Sequence, residues 1–405
     1  MTATIEEQRV PAQAPADAVR RVAGIADIAD GRGFLRTSGY RRSPGDIPIT
    51  SAQVRSYGLR PGDMIEGTAA PRDRDRRAGS GTGTGSGKNG GKNGGKEGGK
   101  EGGKSLASVE TVNGMPADMV SGRAHFEKLT PVYPNERLRL EAGDPSPTAR
   151  IIDLVSPIGK GQRGLIVAPP KAGKTMVLKT IARAVSGAYP DIHLMMVLVG
   201  ERPEEVTDLQ RSVRGEVIYS TFDQSPADHI KAAELAIERA KRLAELGRDV
   251  VVLLDSLTRL GRAYNLAAPA GARTLTGGVA APALQPPRRF LGAARSLEEG
   301  GSVTILSTVL VDTGSQLDNV LFEEFKGTGN MELRLRRDLA EKRLFPAVDA
   351  MPSGTRRDDL LMDPAEHAAV TKLRRALAAL DAQHAVELLL DKTTEPNNQW
   401  LPRAR

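Results

Sequence analysis

The chain has 405 residues, 26% charged, 39% hydrophobic and only 3% aromatic, and 57 Lys and Arg against 50 Asp and Glu give a formal net charge of +7. That length suits roughly two or three domains with cores that need no covalent staples, and the absence of cysteine excludes a disulfide scaffold, a thiolate metal site and cysteine nucleophilic catalysis. The opening MTATIEEQRVPAQAPADAVRR lacks the apolar region of a secretion signal, and no run of about 18 apolar residues occurs, so a cytoplasmic protein is expected rather than a secreted or membrane-spanning one.

Residues 1–19, rich in Ala, Pro and Glu without periodicity, read as a disordered tail. From 20 to 71, short alternating stretches broken by Gly and Pro, such as GRGFLRTSG and GDIPIT, predict a small β-domain. Residues 72–104 differ in kind: RDRDRR leads into GSGTGTGSG and a KNGG/KEGG repeat, and 13 of residues 79–104 are glycine. No packed core offsets the ordering entropy of such a segment, which reads as a flexible insertion. LASVETVNGMP then resumes strand-like alternation, so one β-domain over 20–128 is expected, interrupted by that insertion. The proline-rich stretch 129–149 reads as a connector.

From 150 the pattern becomes α/β. RGLIVA, HLMMVLV, VVVLLD and SVTILSTVL predict buried parallel strands. The clearest intervening helix is predicted over 226–246, with Ser225 as N-cap, Pro226 next, Asp228 in the first turn and Gly247 as stop. Strands alternating with helices predict a doubly wound domain over 150–405, closed by two further helices, the first capped by Asp363.

The strongest chemical signal is APPKAGKT at 168–175, between a predicted strand and the helix TMVLKTIARAV. It fits the P-loop pattern with Ala168 at the usual first glycine. Backbone N–H groups and a helix N-terminus there cradle phosphates, Lys174 reaches the terminal phosphate oxygens and Thr175 suits Mg²⁺. Asp255 ends VVVLLD, where a carboxylate can hold Mg²⁺ through water, although a helix cap is the plainer role. Glu201 follows HLMMVLVG at a strand's carboxyl end and could deprotonate an attacking water; the plainer alternative is an ion pair with Arg202. The five histidines, at 125, 193, 229, 367 and 384, have no ligand spacing, so no metal beyond Mg²⁺ is expected. In GFLR, Phe34 beside Arg36 suits base stacking with phosphate contact, though such a Phe is more often core.

Read together, these stretches resemble the Rho family of bacterial transcription termination factors. The likeness runs almost continuously from 126 to 390 through FEKLTPVYPNERLRLE, SPIGKGQRGLIVAPPKAGKT, ERPEEVTDLQRSVRGEV, LLDSLTRLGRAYN, LTGGV, RRFLGAARSLEEGGSVTIL, DTGS, FEEFKGTGNMEL and SGTRRDDLL. A weaker match covers DGRGFLRTSGY, QVRSYGLRPGD and the restart at 105, and it implies that 20–128 is a small β-barrel of OB type, the family's primary RNA site. The resemblance implies a homohexameric ring ATPase with a RecA-like P-loop core. Such a ring pulls single-stranded RNA through its pore and dislodges RNA polymerase, which with elongation-complex proteins would be its partner. ATP and Mg²⁺ are the implied ligands.

By motif position the resemblance implies nucleotide contacts at Gly159, Lys160, Gly161, Gln162, Arg163, Gly164, Lys171, Ala172, Gly173, Lys174, Thr175, Met176 and Arg202. It also implies adenine stacking by Phe345, catalysis by Glu201 and Asp255, and an arginine finger at Arg356 offered to the neighbouring subunit. RNA contacts are implied at Gly31, Arg32, Gly33, Phe34, Leu35, Arg36, Asp46, Ile47 and Pro48. Pore loops at Leu275, Thr276, Gly277, Gly278 and Val279, and at DTGS followed by Gln316, would hold the secondary RNA site. The chain departs from the family's common pattern at Arg32, Pro48 and 105–108, where aromatics are usual, and at Gly200, Ala280 and Gln316. Those departures motivate an alternative, an RNA-binding ring with a vestigial ATPase. The positive charge is local: 72–104 carries a net +5 and 20–71 a net +3, which places it in the expected RNA-collecting module.

Overall fold

The computed structural model describes residues 20–71 and 104–401. The expected tail over 1–19 and the expected insertion, except Lys104, lie outside the described residues. The chain divides into two compact units at Ser121 and Gly122, with Gly39–Arg41 grouped with the second.

The first unit contains β1 (Arg20–Ala29), β2 (Arg32–Arg36), β3 (Ile47–Ile49), a short α1 (Ser51–Ser56), β4 (Met64–Pro71), β5 (Lys104–Val112) and β6 (Met115–Pro116). They form one antiparallel half-barrel in the order β3-β2-β1-β4-β5-β6. Period-two alternation sends Leu35, Ile47, Ile49, Ile65, Leu106, Val109 and Val112 to one buried face. At Gly33 a Cβ would lie 2.2 Å from the Asp27 carbonyl oxygen, so only glycine lets β2 approach β1. The last ladder pair of β4 and β5 is Pro71 with Lys104, so the strands flanking 72–103 belong to one sheet.

The second unit is built on nine strands, β7 (Pro131–Val132), β10 (Arg163–Ala168), β11 (His193–Glu201), β12 (Glu216–Thr221), β13 (Asp249–Asp255), β14 (Arg295–Leu297), β15 (Ser302–Leu310), β16 (Met331–Leu335) and β17 (Val348–Thr355), with a separate pair β8 (Arg137–Leu138) and β9 (Ile158–Gly159). The main path runs β12-β11-β13-β15-β10-β16-β17, parallel except for β17, and β7 and β14 join beside β15. Helices α2 (Pro147–Val155), α3 (Lys174–Ala188), α4 (Pro203–Ser212), α5 (Pro226–Ala244), α6 (Leu257–Leu266), α7 (Gln285–Gly292), α8 (Gln316–Lys326), α9 (Arg337–Glu341), α10 (Pro364–Leu377), α11 (Ala382–Lys392) and α12 (Asn397–Trp400) complete it. Helix α5 starts as its sequence dictates: the Ser225 side chain accepts from the Asp228 N–H, and Ala233, Ile237, Ala240 and Ala244 face the core. It ends just before Gly247, whose φ of +75° is left-handed.

The expected domain edge at 128 falls earlier. Phe126 is 1% exposed, its N–H donates to Glu245 Oε1 at 2.8 Å, and the Arg295 guanidinium lies 4.8 Å from its ring, all within the second unit. The expected connector is also part of that unit. Leu138 and Leu140 are fully buried, and the Asp153 carboxylate accepts the Leu140 and Glu141 N–H groups at 3.0 and 2.9 Å. Burial raises the Asp153 pKa to about 6, against the opposing pull of Arg137. Prolines mask the periodicity there, and the Asp153 carboxylate supplies acceptors for N–H groups just beyond the short strand β8.

Candidate active site and nucleic-acid interface

The P-loop leaves the buried strand β10 at Ala168, turns through Lys171 (φ +68°) and Gly173 (φ +92°), and enters α3 at Lys174. That turn aims the unpaired N–H groups of the first α3 turn out of the strand's carboxyl end, the arrangement that receives phosphate. A Cβ at Gly173 would lie 3.4 Å from Phe345, so this ring packs against the loop. Ala172 is buried, Met176 is 54% exposed, and the half-buried Thr175 hydroxyl makes no hydrogen bond within the described residues.

Lys174 Nζ donates to Glu201 Oε1 at 2.9 Å and to Asp255 Oδ1 at 2.6 Å. Glu201 and Asp255 end β11 and β13 and are 3% and 1% exposed. The Thr308 hydroxyl on β15 donates to Asp255 Oδ1 at 2.7 Å, and Arg259 Nε, in the first turn of α6, stands 3.4 Å from Glu201 Oε1. Burial and the Asp255 charge raise the Glu201 pKa against the pull of Lys174 and Arg259. For Lys174, burial acts downward but Asp255 and Glu201 outweigh it, and the ammonium is held charged. Gly200 explains how Arg259 gets there: φ is +67° at a bulge, and a Cβ would lie 3.2 Å from Arg259 Cδ. Arg259 and Thr308 were not singled out in the sequence, although hydroxyl side chains recurring along the buried strand SVTILSTVL were the available signal.

Other expected nucleotide contacts are not gathered here. Gly159, Lys160, Gly161, Gln162, Arg163 and Gly164 precede or begin β10, whereas the P-loop follows its far end about 16 Å along the strand. Lys160 Nζ meets Asp249 at 2.7 Å, at the start of the strand that Asp255 ends. Sequence proximity to APPKAGKT hid that a complete strand intervenes. Arg356 lies on the same amino edge, since Thr355 pairs with Met331 and Met331 with Gly164. Arg202 caps α4 beside Glu201 and pairs only loosely, at 3.8 Å, with Glu205, so it is not the partner of Glu201.

On the first unit, Phe34 is 47% exposed and opposite the half-buried Pro48, with Gly31 and Arg32 exposed and Gly33 half-buried beside them. Leu35 and Ile47, expected at RNA, are core residues, and so is the guanidinium of Arg36. It is 6% exposed and paired with Asp46 and with Asp27, Nε to Oδ2 being 2.9 Å. Asp46 is spent on that pair and on the Ser43 N–H at 2.9 Å. Strand alternation sends Leu35 inward, whereas Arg36 lies on the Phe34 side, its guanidinium 5.4 Å from that ring, and is covered through its pairs with Asp27 and Asp46.

The two expected pore loops meet. Leu275 N–H donates to the Val279 carbonyl at 2.7 Å, closing a tight loop in which Thr276 and Gly278 are exposed and Leu275 is half-buried. Gly277 (φ +75°) approaches the start of α8, where a Cβ would lie 2.9 Å from the Gln316 carbonyl oxygen. Gln316 itself is exposed. Val279, expected to touch RNA, is fully buried and anchors the loop.

Residues 148–355 match the ATP synthase alpha/beta family, nucleotide-binding domain, and residues 22–118 match the Rho termination factor, RNA-binding domain. A transcription termination factor Rho from Streptosporangium roseum is 55% identical over 393 residues, covering 96% of this chain and 94% of that protein. One from Streptomyces lividans is 57% identical over 388 residues, covering 95% of this chain and 52% of that protein; the chain thus spans about half the length of this relative. A solved ATPase of the type III secretion system of pathogenic bacteria shares the fold, with TM-score 0.55 and 24% identity over 68% of this chain and 81% of that one. No helix among the described residues is long and apolar enough to cross a membrane. With an RNA-binding domain at 22–118, a nucleotide-binding P-loop domain behind it and a full-length relative at this identity, the chain belongs to the transcription termination factor Rho family.

Proposed function

We propose that this chain is an RNA-dependent ATPase that assembles as a homohexamer, moves 5′ to 3′ along single-stranded RNA and releases transcripts from RNA polymerase and its elongation-complex proteins. The observation that carries this reading is the Lys174, Glu201 and Asp255 cluster beneath the P-loop, in a chain that also holds an RNA-binding domain. With ATP seated on the loop, Lys174 turns from the carboxylates to the phosphates. Glu201, relieved of that ammonium, orients and deprotonates the attacking water. The residues fit Mg²⁺: the Thr175 hydroxyl is uncommitted and Asp255 supplies one carboxylate. No group of three or more His, Asp or Glu able to hold a metal occurs among the described residues. A site with so few protein ligands suits a cation that keeps several waters and takes substrate phosphates, and bound there Mg²⁺ would neutralise developing phosphate charge.

Arg356 stands on the amino edge of the sheet and cannot serve its own P-loop, which favours action on the neighbouring subunit's nucleotide. The LTGGV and DTGS loops, in contact through Gly277 and Gln316, would grip RNA and report its passage to α8. Glu201 keeps its carboxylate in place despite Gly200 beside it, which argues against a vestigial ATPase. An RNA–DNA duplex with a single-stranded RNA tail tests the reading. Unwinding that needs ATP and a 5′ tail supports it; ATP-independent strand separation or a 3′ requirement contradicts it.

A further inference from the structure

The segment around Gln162 is too ordered to be a mere approach to β10. At Gly161 φ is +86°, its N–H donates to Thr304 Oγ1 at 2.8 Å, and a Cβ would lie 2.2 Å from the Ser296 nitrogen. Gln162 is 1% exposed, and its amide reaches across the sheet edge to Asn330. Asn330 Oδ1 accepts from Gln162 Nε2 at 2.7 Å and from the Arg163 N–H at 2.8 Å. The Asn330 carbonyl accepts from the same Gln162 Nε2 at 3.2 Å and from the Arg356 N–H at 2.8 Å. One asparagine therefore ties the 162–163 backbone to the backbone of Arg356.

That tether has something to resist. The Arg163 guanidinium donates to the carbonyls of Thr328 and Ala294 at 3.2 and 2.9 Å, and Arg295 donates to the Gly292 carbonyl at 2.7 Å. Among the described residues no carboxylate is hydrogen-bonded to either, and the Arg356 side chain has no hydrogen-bond or ion-pair partner. Burial first, then the charges of Arg295 and Arg356, lowers the Arg163 pKa, so both of those guanidinium groups repel that of Arg163. Attraction to an acid does not place Arg356; the hydrogen bond at its own backbone does. It is also the first residue beyond β17, directly before Arg357 in the left-handed region (φ +57°).

We propose that Gln162 and Asn330 are positioning residues for Arg356, holding its guanidinium where the neighbouring subunit's nucleotide meets it. This rests on the reading of Arg356 as an arginine finger. It gives the buried GKGQRG segment a task at the amino edge of the sheet in place of a contact with its own P-loop. The near-isosteric Gln162→Leu removes the donor, and Asn330→Ala removes the Oδ1 that Gln162 and the Arg163 N–H share, leaving the carbonyl at Arg356 without that anchor.

The test is a double-mutant cycle on the assembled full chain, reading ATP turnover, ATP KM and thermal midpoint for Gln162→Leu, Asn330→Ala, Arg356→Ala and the two pairs containing Arg356→Ala. Misplacing the finger predicts that Gln162→Leu and Asn330→Ala each lower kcat about ten- to a hundredfold with little change in KM. In the Arg356→Ala background neither lowers it further, even where the thermal midpoint falls. Equal losses with and without Arg356 would reduce both residues to general fold support and overturn the proposal. So would wild-type kcat in Gln162→Leu. Wild-type turnover in Arg356→Ala alone would sink the finger reading itself, a result distinct from either of those.

Discussion

Lys174 Nζ lies 2.6 Å from Asp255 Oδ1, closer than to Glu201 at 2.9 Å. The P-loop lysine thus serves two carboxylates before any phosphate arrives, and it neutralises charges that burial would otherwise make costly. Binding of a polyanion with its cation exchanges partners at this one atom. That exchange couples nucleotide occupancy to the release of Glu201 for base catalysis.

Lys174→Ala leaves two buried carboxylates side by side without their ammonium, and breaking such a pair costs about 3–5 kcal/mol. The variant is expected to lose nucleotide binding and to melt well below the wild type at pH 8. Without the ammonium the Glu201 pKa rises further above its unfolded value, so the folded state takes up a proton more readily as pH falls. The melting deficit should therefore shrink towards pH 5, which calorimetry at the two pH values checks.

Activity needs the charged form of Glu201, whose pKa burial and Asp255 raise. The acid limb of the ATPase pH profile is therefore expected above the range of an unperturbed glutamate. Arg259 lowers that pKa, so Arg259→Ala should move the limb to higher pH. Glu201→Gln should lower turnover by about 10²–10⁴ while nucleotide binding persists. Initial rates across pH at saturating ATP check all three.

Phe34 and Arg36 are two residues apart and have opposite tasks. Phe34→Ala removes an exposed ring and is expected to weaken RNA binding by about 1–3 kcal/mol while leaving the thermal midpoint unchanged. Arg36→Ala takes the guanidinium away from the buried carboxylates of Asp27 and Asp46 and should destabilise the first unit by about 3–5 kcal/mol. Fluorescence anisotropy with a short single-stranded RNA, beside thermal melting, separates the two effects.

Arg356→Ala subunits are expected to bind ATP and yet poison mixed assemblies, so that turnover falls faster than the wild-type fraction. Titrating the variant into wild-type chains and recording turnover after reassembly checks this. A loss strictly proportional to the variant fraction would place Arg356 outside the neighbour's site.

Local signals carried much of this architecture. Four buried strands, the capped α5 and the P-loop are written in contiguous residues, and Glu201 and Asp255 are marked as the polar ends of apolar strands. What stayed hidden depends on partners far away in the chain. Nothing local to Arg36 shows that Asp27 and Asp46 claim it, and nothing in LTGGV shows that its valine points inward. GKGQRG lies next to the P-loop in sequence but at the opposite end of β10, a separation visible only once the strand is built. β16 and β17 were missed for a related reason: alternating charges in MELRL mask an inner strand between β10 and β17, and a proline and glycine in VDAMPSGT mask the edge strand β17.

ATP turnover by the intact chain, with and without single-stranded RNA and across a salt series, tests the central claim most directly. The account predicts slow basal hydrolysis, strong stimulation by RNA that weakens as salt rises, and loss of the stimulated rate in Glu201→Gln. Turnover indifferent to RNA at every salt concentration, or a stimulated rate that survives Glu201→Gln, would contradict it.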